Sequence, residues 1–190
     1  GGEAEVGQPQ SGRVTQPLPH GHFSKSPTKD PCSAGREGKQ CSETNMRTIV
    51  RRIGASKRPK LSGKIISVLG LAFKPNTDDL REAKSIELCN ALLKEGAKIN
   101  AYDPIAMKKT KAILKSQKVN FCKNPYSATE NSDVAIFITE WPEFKQLDLK
   151  RLTQKMTNAI IFDGRNIYDI NEMKKLNIEY HSIGRPSYYP

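Results

Sequence analysis

Two cations stand just past apolar runs in this sequence. Lys74 follows Lys64-Ile-Ile-Ser-Val-Leu-Gly70, and Arg165 follows Ala159-Ile-Ile-Phe-Asp163-Gly164. Cations that converge beyond strand ends, near helix N-termini, make a phosphate site. Taken singly, either is equally well a solvated loop charge. Other chemistries find less support. Phe73 falls where a Gly-x-Gly-x-x-Gly loop needs close backbone approach, which disfavours NAD in the usual crevice, and no Gly-x-x-x-x-Gly-Lys-Ser/Thr loop is present. His20, His22, Cys32 and Cys41 fit no standard zinc spacing. Cys89 and Cys122 have no neighbouring His or basic cluster, so core packing is expected of both. His181, in the last apolar stretch, is expected to be packed or exposed rather than catalytic.

The elements that would position Lys74 and Arg165 alternate regularly. Lys64–Gly70 reads as a buried strand by its length and β-branching. Ile86, Leu88, Cys89, Leu92 and Leu93 recur at helical spacing within Ala83–Glu95, and Gly96 is the expected stop. Ala97–Tyr102 alternates as a strand. Asp103-Pro104 caps and opens a helix from Ile105 to near Lys115. Strands are also expected at Val119–Cys122, Asp133–Thr139, Ala159–Asp163 and Ile178–Ile183. Helices are expected at Asp148–Met156 and Asp169–Leu176, with a short polar helix or loop at Asn124–Asn131. This alternation predicts an α/β fold: a doubly wound, Rossmann-like parallel sheet of about six strands with right-handed crossovers. Ligands of such sheets bind beyond the carboxyl ends of the strands, at the point where strand order reverses.

Composition divides the chain. Of 190 residues, 36% are hydrophobic and the formal net charge is +11. Residues 1–44 hold 12 of the 25 Gly and Pro and only eight apolar residues. Such a segment cannot bury enough surface to offset chain entropy, so it is expected to be a disordered tail, tag or non-homologous leader. Residues 45–62 read as a basic linker, with Arg47, Arg51, Arg52, Lys57, Arg58 and Lys60 and no interleaved aromatic for base stacking. Residues 63–190 form the folded domain. No apolar run reaches the roughly 20 residues of a membrane span, and the opening GGEAEVGQPQ has no signal-peptide pattern. Four irregularly spaced Cys suit a reducing, cytoplasmic compartment. Neither nucleic acid nor membrane is expected as a partner.

Five ordered motifs carry a resemblance: Leu69-Gly-Leu-Ala-Phe-Lys-Pro-Asn-Thr-Asp-Asp-Leu-Arg-Glu82, Tyr102-Asp-Pro104, Thr139-Glu-Trp-Pro-Glu-Phe144, Phe162-Asp-Gly-Arg-Asn-Ile-Tyr-Asp169 and Ile183-Gly-Arg185. Across residues 63–185 they resemble the C-terminal, UDP-sugar-binding domain of the UDP-glucose/GDP-mannose dehydrogenases. The Asp-Gly-Arg-Asn-Ile-Tyr-Asp form is more similar to the UDP-glucose branch. The resemblance implies that Phe73 and Lys74 contact a UDP-sugar and that Arg165 binds it from the facing loop. It implies that Arg81 reaches NAD held by another domain, and that Asp78 and Asp79 cap the following helix and orient these cations. The family reaction is a two-step, NAD-dependent oxidation of UDP-glucose to UDP-glucuronate through a Cys thiohemiacetal.

Departures from the family pattern shape the expectation. The sequence shows no NAD-binding Rossmann half and no Gly-Gly-Ser-Cys-Phe-type segment, so none of its four Cys inherits the nucleophile's role. Most of the family's dimer-forming central helix is missing, and Asn45–Ile53 resembles a remnant of its end; the oligomeric state is not readable. The chain is expected to be the substrate-binding part of an oxidoreductase, inactive by itself. The alternative is a stand-alone UDP-sugar-binding module or an inactive truncated remnant.

Overall fold

The run Ile65–Leu69 is a strand (β1), buried from Ile66 onward, because β-branched residues with no polar alternation favour a fully covered position. The computed structural model describes residues 1–2 and 61–190. All but the first two residues of the 1–44 tail and all but the last two of the 45–62 linker lie outside the described residues. Helix α1 (Lys84–Lys94) follows, burying Leu88, Cys89 and Leu92 along one stripe. Next come β2 (Lys98–Tyr102), α2 (Met107–Ile113), β3 (Val119–Phe121) and α3 (Pro125–Thr129). Then β4 (Val134–Phe137), a 3-10 turn (Pro142–Gln146) and α4 (Leu149–Gln154) lead to β5 (Ile160–Asp163), α5 (Ile170–Lys175) and β6 (Glu179–Ser182).

The helix boundaries have local causes. Asn124 opens α3 by accepting from Ser127 N at 2.8 Å, and the Ser127 hydroxyl accepts from Asn124 N at 3.2 Å. Asp148 and Asp169 cap α4 and α5 through their carboxylates alone, accepting from Arg151 N and Asn171 N. α2 begins later than its sequence suggests. Asp103 spends its carboxylate on the turn itself, accepting from Ile105 N and Ala106 N, so regular helix starts at Met107.

All six strands are parallel, in the order β3-β2-β1-β4-β5-β6. The chain runs outward from β1 to β3, returns to place β4 against β1, and continues to β6. The reversal therefore lies between β1 and β4, where Leu69 pairs with Phe137. This is the doubly wound arrangement expected from the alternation of elements. The core follows the sheet: Ile66, Val68, Ile99, Ile136, Phe137 and Ile161 are essentially inaccessible. Both edges are protected. Exposed Lys118 and Lys123 flank β3, and the tail folds back on β6 through the antiparallel Tyr180–Tyr188 bridge. No described helix is long and apolar enough to cross a membrane.

Candidate functional site

The strand reversal is tightly built. Gly70 leaves β1 with φ +88°, and a Cβ there would lie 2.7 Å from Thr139 N and Cβ. Only glycine fits both that conformation and that approach. Thr139, two residues past β4, donates to the Ala72 carbonyl at 2.6 Å, so the loops after β1 and β4 are stitched together.

Asp103, after β2, is the hub beneath these loops and is 1% exposed. One carboxylate oxygen accepts from Leu71 N at 2.7 Å, Ala72 N at 3.1 Å and Trp141 Nε1 at 3.0 Å. The other accepts from Ile105 N at 2.9 Å and Ala106 N at 2.7 Å. Five donors from three strand-end loops thus satisfy one buried charge. Asp163 plays the matching part at the end of β5, accepting from Arg165 N, Tyr168 N and the Tyr180 hydroxyl. Burial, reinforced by the Asp163 charge, pushes both phenols, Tyr168 and Tyr180, well above their ordinary range, so both remain neutral donors. Asn166 adopts φ +55° and exchanges hydrogen bonds with Ile183 N and O, tying the Arg165 loop to the end of β6.

On this floor the side chain of Arg165 crosses to its neighbours. Its Nε donates to the Ile138 carbonyl at 2.7 Å and its Nη2 to the Phe73 carbonyl at 3.1 Å. Glu140 Oε2 lies 3.1 Å from Arg165 Nε. Arg165 and the Phe73–Lys74 loop, 92 residues apart, are therefore brought together. Phe73 is 43% exposed, and Lys74 is exposed with no side-chain hydrogen bond or ion pair among the described residues. The arrangement offers two cations and an exposed ring at the carboxyl end of the sheet, which suits an anionic ligand carrying an apolar or aromatic part.

Arg81 stands elsewhere. It forms a fork on Asp79, with Nη2 to Oδ2 at 2.8 Å and Nε to Oδ1 at 3.1 Å. That hydrogen bonding holds the Asp79 carboxyl at about 2 and raises the guanidinium above its ordinary value. Both residues line a groove of about 700 Å³ with Thr77, Leu80, Lys109 and Ile113, and none of Phe73, Lys74 and Arg165 lines it.

The expected capping by Asp78 and Asp79 is overturned. The residue before α1 is Ala83, with no side-chain cap, because Glu82 at φ +59° turns the chain between the acids and the helix. Asp79 is taken by Arg81, and Asp78 pairs with Lys109 at 2.7 Å. Cys89 and Cys122 are buried as expected, and burial pushes the Cys89 thiol up to about 12. His181 is buried, stacked on Phe162 at 4.4 Å and bonded to Glu179 and Ser187. Among the described residues no cluster of three or more acidic, His or Cys side chains is placed for a metal. His20, His22, Cys32 and Cys41, which fit no standard zinc spacing, lie outside them.

Residues 67–170 match the model for the UDP-glucose/GDP-mannose dehydrogenase family, UDP binding domain. The chain belongs to this family. It is 42% identical over 127 residues to UDP-glucose 6-dehydrogenase TuaD of Bacillus subtilis, covering 67% of this chain and 27% of that protein. It is 34% identical over 157 residues to UDP-glucose 6-dehydrogenase 1 of Arabidopsis thaliana, covering 71% and 33%. A solved UDP-glucose dehydrogenase from the hyperthermophilic archaeon Pyrobaculum islandicum superposes with TM-score 0.61 at 29% identity, covering 78% of this chain and 30% of that one. The chain thus spans about a third of the length of these relatives.

Asp103, Thr139, Glu140 and Trp141 went unassigned as site residues in the sequence, although two of the quoted motifs contain them. The available signal was position: each motif begins within a residue or two of a strand's carboxyl end.

Proposed function

We propose that this chain is the UDP-sugar-binding part of a UDP-glucose 6-dehydrogenase-type oxidoreductase, the family reaction being NAD-dependent oxidation of UDP-glucose to UDP-glucuronate. The observation that carries the reading is the 3.1 Å bond from Arg165 to the Phe73 carbonyl at the strand reversal. Two of the five guanidinium N–H groups are committed to carbonyls, which leaves three to meet a diphosphate. Lys74 adds an unpaired charge from the opposite loop, and the exposed Phe73 ring supplies an apolar wall against the nucleotide sugar. Arg81, on the neighbouring groove, is assigned to the dinucleotide.

The described residues do not form a dinucleotide cradle of their own, since Thr139 fills the close approach at Gly70. Nor do they hold a thiolate: Cys89 is raised to about 12 and Cys122 is raised too, each by burial. Oxidation of the sugar therefore needs residues other than these, and the chain by itself is not expected to form NADH from UDP-glucose.

Calorimetric titration tests the ligand. A charge-assisted hydrogen bond contributes roughly 1.5–3 kcal/mol, so Arg165→Ala is expected to weaken UDP-glucose binding about ten- to a hundredfold. Lys74→Ala should act similarly. Equal affinity of wild type and Arg165→Ala for UDP-glucose would remove the proposed site.

A further inference from the structure

Glu140 is a carboxylate at a site that must attract phosphate, and its geometry is unusual. Its Oε2 lies 3.1 Å from Arg165 Nε. Yet that oxygen is buried and accepts no hydrogen bond from the described residues. The reason is that the Arg165 Nε–H is already spent on the Ile138 carbonyl at 2.7 Å. Glu140 is therefore a counter-ion to Arg165 and not the strut that aims it. The aim comes from two backbone carbonyls, those of Ile138 and Phe73, which remain when Glu140 is neutralised. The two side chains are 38% and 40% exposed, so a ligand reaching Arg165 also meets the Glu140 field.

We propose that Glu140 sets the selectivity of this site, favouring a nucleoside diphosphate esterified to a sugar over the free nucleoside diphosphate. The inference rests on the ligand reading above and deepens it. A diphosphate esterified at both ends carries two negative charges. A free one has a terminal phosphate whose second ionisation falls near pH 6, and so carries close to three at neutral pH. The extra charge is repelled by Glu140 beside the shared guanidinium. A sugar hydroxyl is instead a donor, which an ionised carboxylate accepts. Both effects act in the same direction. An exposed pair several Å apart is partly screened, which brings the expected discrimination to about tenfold.

The test is a titration of the full 190-residue chain with UDP and with UDP-glucose, comparing wild type, Glu140→Gln and Arg165→Ala. Glu140→Gln is expected to tighten UDP about tenfold more than UDP-glucose, and added salt should shrink the difference between the two proteins. An unchanged UDP to UDP-glucose affinity ratio in Glu140→Gln overturns the inference. Equal weakening of both ligands also overturns it, since Glu140 would then be a strut. In either case a loss of binding in Arg165→Ala shows that the site itself stands. Arg165→Ala without effect on either ligand, or no saturable binding by wild type, removes the site and the selectivity proposal together.

Discussion

Arg165 and Arg81 both follow strands of one sheet, yet they are held in opposite ways. Arg165 donates its hydrogen bonds to carbonyls 27 and 92 residues distant, on the loops after β4 and β1. Arg81 donates to Asp79, two residues away, and its side chain is 90% exposed. The first cation is oriented by the tertiary fold before any ligand arrives, so binding does not have to order it. The second is oriented by a local fork that solvent screens. The contrast suits the proposed roles, Arg165 as a fixed anion anchor and Arg81 as an adjustable contact.

The largest effect should come from undercutting the anchor. In Asp103→Asn an amide NH2 replaces one oxygen and faces donors from Leu71, Ala72 and Trp141, or from Ile105 and Ala106. Buried unpaired donors predict a loss of about 3 kcal/mol in denaturant unfolding. The environment of Trp141, the one Trp of the chain, should also shift in its fluorescence. A stable Asp103→Asn protein with native fluorescence would show that the anchor does not depend on this hub.

Gly70→Ala should come next. A Cβ at φ +88°, 2.7 Å from the Thr139 backbone, must move the loop after β1 or the loop after β4. About 2–3 kcal/mol of stability should be lost, with weakened UDP-glucose binding because the Phe73 carbonyl leaves Arg165. A thermal melt and a titration on the same sample would separate the two outcomes.

The Arg81 side should respond far less. Arg81→Ala is expected to leave the melting temperature unchanged and UDP-glucose affinity within about twofold, because surface substitutions away from packed or buried features have small effects. A tenfold loss of UDP-glucose affinity would place Arg81 in the same site as Arg165.

The smallest effect is a titration. The Asp79 carboxyl, held at about 2 against an ordinary 3.8, favours its ionised form when folded. Its contribution is therefore complete above about pH 4 and is lost as pH falls through 2. Carboxyl NMR should find the low midpoint in wild type and a higher one in Arg81→Ala, still below the ordinary value because the backbone N–H of residue 81 keeps its bond to Asp79. An ordinary midpoint in wild type would show that the fork does not persist in solution.

Much of the fold was legible because its signals are local. β-branched runs ending in Gly or Asp marked the strands, and Leu88, Cys89 and Leu92 marked a helix by spacing. Lys74 and Arg165 were legible for the same reason, each standing a fixed few residues beyond such a run. Capping by Asp78 and Asp79 was misread because position before a helix says nothing of a positive φ at Glu82 or of Lys109 across the groove. The late start of α2 was equally hidden, since it depends on how many donors Asp103 gathers from elsewhere.

By itself the sequence determined which segments are strands and helices, that the strands would be parallel and covered, and which cations would stand at their carboxyl ends. Residue type and spacing suffice for this, because burial periodicity is a property of each segment alone. The tertiary structure decided the partners. The order β3-β2-β1-β4-β5-β6 sets the loops after β1, β4 and β5 side by side. Only then does the Arg165 guanidinium reach the Phe73 carbonyl, Asp103 collect Trp141, and Glu140 become a counter-ion to Arg165. Pairings like these, across as many as 92 residues, leave no trace in local pattern, because they are fixed by which strand packs beside which.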